Sequence, residues 1–353
     1  MDMMKRITVA ILISLTVTSL CSCDLALPSV SDVSIPSKPV SEIASSPAEP
    51  EPPQYTVSFE EDETFADDIS RRAAEIIDPA IRTAVTMLNT LPEQEFDILD
   101  CDYSRRPTER DGLAGDEAAL EWYEFIYDKL SALEDFRLYP ADYGGEEAFY
   151  FPFYAAESAL MTDHREIFLC GTTWMDDSDG SIYPIYFMPG DWVDKPCGDK
   201  EAIKQEAAVY DRIQDRIFEK MPQGLSNYQQ LCYLAFVVVA ATEYDHRDYE
   251  ETASVYSPYD TLVRGQTVCR GYALTFYELC RRAGISCWFS EGMVPSGYHA
   301  WNRVETTDGM RWIDLTWYDR KEIKGSYSEG DTDYLFMTQE DLDCWEYREG
   351  VFE

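Results

Sequence analysis

Apolar residues fall at helical spacing in some stretches of this chain and alternate or run together in others, and the changes of pattern mark its elements. Residues 64–91 carry helical spacing interrupted by Pro79. Within 116–133 the same period sets Leu120, Tyr123, Tyr127, Leu130 and Leu133 on one face of a helix. The aromatic runs 148–154 and 182–188 read as strands, divided by the turn-forming sequence Asp176-Asp177-Ser178-Asp179-Gly180. An amphipathic helix is expected over 199–221. Ser226 and Gln229 then form a capping box ahead of 231–241, which is apolar nearly all round and so predicts a buried helix. A polar segment, 243–259, is followed by a helix opened by Cys269, which runs to Ala283 and stops at Gly284, a usual helix-terminating residue. Strand-like segments come next, at 285–292, 298–306, 311–317 and 334–338. Helices followed by strands, with few parallel crossovers implied, give an α+β fold.

The first 54 residues obey neither period. Lys5 and Arg6 precede an apolar stretch, 7–20, that suits the core of a secretory signal and is short for a bilayer span. Leu20-Cys21-Ser22-Cys23 follows and resembles a bacterial lipobox. Cys23 fits as the lipidated cysteine better than Cys21, for which Thr18 would stand at the aliphatic position. The expectation is a signal peptide over 1–22, export, and a lipid anchor at Cys23 on the outer face of a bacterial cell membrane. An ordinary cleaved signal and an uncleaved anchor are the competing readings. Residues 24–54 are Ser, Pro, Glu and Val with no aromatic residue, too little apolar surface to offset the entropy of ordering, and read as a disordered linker. The organisation expected is therefore signal (1–22), lipidated cysteine and linker (23–54), a mixed α/β region without an assigned role (55–198), and a C-terminal domain (199–353).

Composition narrows the function classes. With 45% hydrophobic and 14% aromatic residues the chain has ample material for packed cores. A net charge of -38 opposes nucleic acid and anionic membrane surfaces, so no nucleic-acid partner is expected and membrane contact is expected only through the anchor. Beyond Cys23 lie Cys101, Cys170, Cys197, Cys232, Cys269, Cys280, Cys287 and Cys344, with no C-x-x-C pair, which disfavours zinc ribbons and thioredoxin-type redox motifs. The acidic turn fails as a calcium loop: with Gly180 as the sixth position, Met175 is the first ligand and Tyr186 the twelfth. No H-E-x-x-H, G-x-S-x-G or G-x-x-x-x-G-K sequence is present, which disfavours zinc hydrolases, elbow-type serine hydrolases and P-loop enzymes. No metal and no cofactor is expected.

A cysteine nucleophile needs a lowered thiol pKa, an imidazole within reach and a group that orients the imidazole. Cys269 follows Arg264-Gly265-Gln266-Thr267-Val268 and opens a helix, whose exposed N–H groups and dipole favour a thiolate and a tetrahedral oxyanion. Gly265 and Gly271 let backbone approach the thiol closely. Of the three histidines, His164, His246 and His299, the last stands one predicted strand before Asp314. A two-residue turn at Asp308-Gly309 would pair His299 with Tyr318 and Asp314 with Arg303, leaving the two roughly 13 Å apart along the sheet. A working pair therefore predicts a bulge or longer turn within 306–310 that shifts the register by an even number of residues.

Val268-Cys269-Arg270-Gly271-Tyr272-Ala273, His299-Ala300-Trp301-Asn302 and Asp314-Leu315-Thr316-Trp317 resemble, in order and approximate spacing, the three core motifs of the transglutaminase-like superfamily. Tyr244-Asp245, Ala283-Gly284-Ile285 and Tyr334-Leu335-Phe336 agree with it, and the resemblance covers about 200–352. It implies a papain-like, transglutaminase-like core: a nucleophile helix packed on an antiparallel sheet. It also implies Cys269 as nucleophile, His299 as base and then acid, and Asp314 as the orienting carboxylate. Tyr272, Trp301 and Trp317 would wall the substrate cleft, two core tryptophans being the other reading, and Arg270 would make a structural ion pair. The implied activity is a cell-surface, cysteine-dependent amide hydrolase or acyl transferase acting on peptide or protein amides, such as a wall peptide or a surface protein. The alternative is a binding or scaffolding lipoprotein that keeps the fold without turnover.

Overall fold

The computed structural model describes residues 54–59, 65–92, 94–103, 108–164, 167–191, 195–247, 256–319 and 334–350. The expected signal peptide, Cys23 and the linker up to residue 53 lie outside the described residues. In chain order the main elements are α1 (Asp68–Leu88), α2 (Glu117–Ser131), α3 (Glu146–Asp163), β1 (Gly171–Met175), β2 (Ile182–Tyr186), α4 (Lys200–Glu219) and α5 (Asn227–Ala241). They continue with β3 (Glu243–Tyr244), β4 (Gln266–Thr267), α6 (Cys269–Arg282), β5 (Cys287–Val294), β6 (Gly297–Thr306), β7 (Gly309–Ile313), α7 (Leu315–Tyr318), α8 (Gln339–Cys344) and β8 (Arg348–Glu349).

Helix α5 is the centre of the main core. Its capping box forms as the sequence predicts: Ser226 N–H donates to Gln229 Oε1 at 3.0 Å and Gln229 N–H to Ser226 Oγ at 3.2 Å. Every residue from Leu231 to Val239 is buried, so the helix needs cover on all sides. Helices α1, α4 and α6 and one face of the sheet supply it. The expected division at residue 198 is therefore not the one that packing follows, because α1 belongs to the same core as α4 and α5. A buried ion pair fixes that contact: Arg216 on α4 donates from Nε and one terminal nitrogen to Asp78 on α1, at 2.5 and 2.8 Å. Pro79 sits on the exposed face of α1, and the helix continues through it.

A second, smaller core gathers Tyr123, Ile126 and Leu130 of α2, Phe149, Phe153 and Leu160 of α3, and Ile182 of β2. Two expectations change here. Residues 148–154 lie inside α3 and are not a strand: Phe149, Phe153, Ala156 and Leu160 are buried at helical spacing, while Phe151 faces solvent. An aromatic run carries β-propensity, yet the longer period won. On α2 the buried stripe is Ala119, Tyr123, Ile126 and Leu130, which turns Tyr127 outward.

The four-stranded antiparallel sheet has the order β7-β6-β5-β8. Ala300, Asn302 and Val304 on β6 face the α6 side, while Trp301 faces Val294, Trp312, Met337 and Leu342 on the other. Residues 311–317 were expected as one strand, but the strand ends at Ile313 and α7 follows. Segment 334–338 contributes one isolated bridge, Met337 with Trp312, because Phe336 takes the left-handed conformation (φ 67°), which breaks a ladder.

Candidate active site

Cys269 is the first residue of α6, after Val268 in extended conformation. The approach to it is pinned by the short parallel pair β3–β4: Glu243 N–H donates to Gly265 O (3.0 Å) and Asp245 N–H to Thr267 O (2.8 Å). Gly271, in the first turn of α6, has no room for a side chain, since a Cβ there would fall 1.8 Å from Thr267 Oγ1. Cys269 is 1% exposed and packs with Ala273, Phe289 and Ala300. Ala300 follows His299 directly, so the helix start lies beside the histidine's stretch of β6. Asn302 secures this arrangement, donating from Nδ2 to the carbonyls of Ala273 (3.0 Å) and Trp288 (3.3 Å). Arg270 forms the expected ion pair, with Glu291 on β5, and lies over the Phe289 ring.

His299 is 3% and Asp314 0% exposed, and His299 Nε2 lies 2.7 Å from Asp314 Oδ2. The register explains how they meet. The β6–β7 turn is Thr307-Asp308, because Thr306 pairs with Gly309 and Asn302 with Ile313. This is neither a bulge nor a longer turn. It is a two-residue turn moved one position toward the N-terminus, and it shifts the register by the even number required. Gly309 accommodates it with φ 127°. Continuing that register sets Asp314 opposite Trp301, two residues from His299 and on the same face, about 7 Å along the strand. An imidazole and a carboxylate span that gap.

Asp314 leaves the sheet as the N-cap of α7, its Oδ1 accepting the Trp317 N–H at 3.0 Å. Its Oδ2 accepts a further hydrogen bond, from the Tyr347 hydroxyl at 2.6 Å. Burial, and secondarily the Asp314 charge, raises the Tyr347 phenol far above its ordinary range, so it keeps its proton and donates to Oδ2. A proton on Nε2 of His299 serves the Asp314 carboxylate, which makes Nδ1, the nitrogen nearer the backbone, the acceptor of the neutral ring. Trp301, Trp317 and Tyr347 surround the imidazole, with ring centroids 6.1, 6.3 and 6.3 Å away.

The three proposed cleft residues separate. Trp317 is half-buried, with its ring against those of His299 and Tyr334. Tyr272 is fully buried and donates its hydroxyl to Asp319 Oδ2 at 2.6 Å, which makes it a core anchor and not a cleft wall. Trp301 is likewise buried, inside the cluster under the C-terminal segment. Tyr347 was not foreseen: no local motif links it to Asp314 across so long a separation. In the acidic turn Asp176 and Asp179 are occupied by Arg137 and by the hydroxyls of Ser178 and Ser181. The eight cysteines among the described residues are all thiols.

A helix bearing a cysteine at its start, packed on an antiparallel sheet that holds a histidine–aspartate pair, is the architecture of a papain-like fold of the transglutaminase type. Residues 215–316 match the family model described as the transglutaminase-like superfamily, and this part of the chain belongs to it. The kyphoscoliosis peptidase of Mus musculus is 25% identical over 130 residues, which span 33% of this chain and 20% of the peptidase. Among solved structures, a putative cysteine protease from Cytophaga hutchinsonii is similar at 14% identity and TM-score 0.25, covering 41% of this chain and 61% of that one. A TGase crystal structure is similar at 12% identity and TM-score 0.27, covering 46% and 47% respectively. The family match includes Cys269, His299 and Asp314 and excludes Tyr347.

Proposed function

We propose that this chain is a cysteine-dependent amide hydrolase or acyl transferase acting on peptide or protein amides. The observation that carries the reading is the 2.7 Å contact between His299 Nε2 and Asp314 Oδ2, on the strand against which the start of the Cys269 helix packs. In the proposed cycle the Cys269 thiolate attacks the amide carbonyl and the N-terminal amides of α6 stabilise the oxyanion. His299 Nδ1 delivers a proton to the departing amine. The thioester that remains is released by water, or by a second amine, deprotonated by the same nitrogen. Hydrolysis is favoured because water is always at hand. Asp314 holds the ring orientation and stabilises the imidazolium. Export and a lipid anchor at Cys23 would set this chemistry at the cell surface, with wall peptides or surface proteins as substrates. Among the described residues no helix is long and apolar enough to cross a membrane.

A second reading, a binding or scaffolding protein without turnover, is favoured by one observation: the thiol is 1% exposed. Incubating the full chain with a mixture of peptide amides, with and without a primary amine, separates the readings. Cleaved peptides, or amine-linked ones, together with an acyl adduct on Cys269 that Cys269→Ser abolishes, support catalysis. Absence of both adduct and product supports the silent reading.

A further inference from the structure

We infer that Tyr347 is a positioning residue of this site, one that sets the proton affinity of His299 through the carboxylate of Asp314; the inference rests on the cysteine–histidine reading proposed above. Oδ2 of Asp314 is the acceptor of both the His299 contact (2.7 Å) and the Tyr347 hydroxyl (2.6 Å), while Oδ1 takes the Trp317 N–H (3.0 Å). Asp314 is fully buried, and a carboxylate without water is tolerated only where donors replace its hydration. Two donors on one oxygen compete. The phenol draws electron density from Oδ2 and leaves less for the imidazolium, so the Tyr347 hydroxyl tempers how strongly Asp314 holds a proton on His299.

The segment that carries Tyr347 is fastened for the purpose. Glu346 turns the chain with φ 58°, an uncommon conformation for a residue other than glycine, and Tyr347 N–H donates to Leu342 O at 2.9 Å. Strand β8 then pairs with β5 at Gly292 and Met293. Gly292 lies opposite His299 on its other side, and a Cβ there would fall 2.1 Å from the Arg348 carbonyl oxygen. The Glu349 carboxylate accepts from Ser290 Oγ at 2.7 Å and pairs with Arg303 at 3.1 Å. The glycine thus serves the strap that brings the phenol to the carboxylate.

Among the described residues, Asp314 contacts His299 directly, the Tyr347 ring lies beside the imidazole, and Tyr334 acts on Tyr347 in turn. Cys269, at the start of α6, reaches this stretch of β6 at Ala300, the residue after His299. Farther along the sheet, Arg303 is paired with Glu349 and Arg270 with Glu291.

The test compares the full chain with Tyr347→Phe, Asp314→Asn and the double variant. Iodoacetamide alkylation of Cys269 is read by mass spectrometry across pH, and the ring nitrogens of His299 are followed by NMR. With three histidines in the chain, His299→Ala assigns the signals. The inference expects Tyr347→Phe to move the alkaline limb of Cys269 reactivity, and the His299 titration, upward by roughly half a pH unit or more, and expects no such shift on top of Asp314→Asn. A limb left in place by Tyr347→Phe overturns it, as does a shift that persists without the Asp314 carboxylate. Tyr347→Met serves as a second hydroxyl-free variant should the phenylalanine form not fold, with the same direction expected. If alkylation of the wild-type chain is itself indifferent to His299→Ala, the cysteine–histidine reading has failed, and the inference falls with it, a result distinct from an unmoved limb in a histidine-dependent enzyme.

Discussion

The side chain of Asn302 donates to the carbonyl of Ala273, one turn after Cys269, at 3.0 Å, and so ties the cysteine helix to the strand that carries His299. Asn302 is fully buried and also serves the Trp288 carbonyl at 3.3 Å. Asn302→Leu should cost about 1–3 kcal/mol in urea unfolding, since buried carbonyls lose a donor. Cys269 in the folded variant should also lose its fast alkylation. A variant that unfolds earlier but keeps that reactivity would mean that the tie serves the core alone.

Arg216 and Asp78 make the test of architecture. Their buried pair joins α4 to α1, and removing one partner leaves an uncompensated charge in the core. Arg216→Met should destabilise by roughly 3–5 kcal/mol in chemical denaturation. A loss under about 1 kcal/mol would show that α1 is not part of the cooperative unit.

Asp260 gives a pH dependence with a definite sign. Burial pushes its carboxyl up to about 6, against hydrogen bonds from Ser257 and the charge of Arg264. The unfolded chain releases this proton near pH 4, the ordinary carboxylate range. Between about pH 4 and 6 the folded state therefore holds a proton that the unfolded state has lost. The contribution is complete below pH 4, falls as pH rises through about 6 and is level above. The unfolding free energy of the wild type relative to Asp260→Asn should decline across that window by on the order of 2 kcal/mol. A difference that is constant from pH 4 to 7 would contradict the assignment. Arg264 also binds Asp191 (2.6 Å) and the Gly190 carbonyl (3.0 Å), so this turn is where the 189–191 segment meets the approach to Cys269.

Gly292→Ala should release the C-terminal strap, because the added methyl meets the backbone of Arg348 and not a movable side chain. Hydrogen exchange should quicken at Gly350, whose N–H donates to Glu291 O at 2.9 Å, with little change in α5. Unaltered protection at Gly350 would show that β5 and β8 separate enough to accept a side chain without losing their pairing.

Much of the candidate site was legible because its determinants are local. The cysteine at a helix start, Gly284 after that helix and the capping box of α5 all follow from residues a turn apart. The position of the β6–β7 turn was harder, since Asp308-Gly309 is a strong turn pair and the observed Thr307-Asp308 is one residue away. Asp314 was legible as the carboxylate but not as a helix cap, although Asp followed by a short apolar stretch is an N-cap signal. The run 148–154 misled because aromatic residues favour strands in isolation, while burial at 149, 153, 156 and 160 depends on partners distant in sequence. Tyr347 lies beyond the reach of any periodicity, since only the tertiary fold brings it to Asp314.

The central claim is a poised thiolate at Cys269 with His299 as its partner, and the rate of iodoacetamide alkylation at each cysteine across pH, in the full chain and in His299→Ala, tests it most directly. The account predicts that Cys269 reacts fast well below pH 8.5, the ordinary thiol range, and that His299→Ala abolishes the advantage. A Cys269 that reacts no faster than the other thiols, or whose rate does not change without His299, would contradict it.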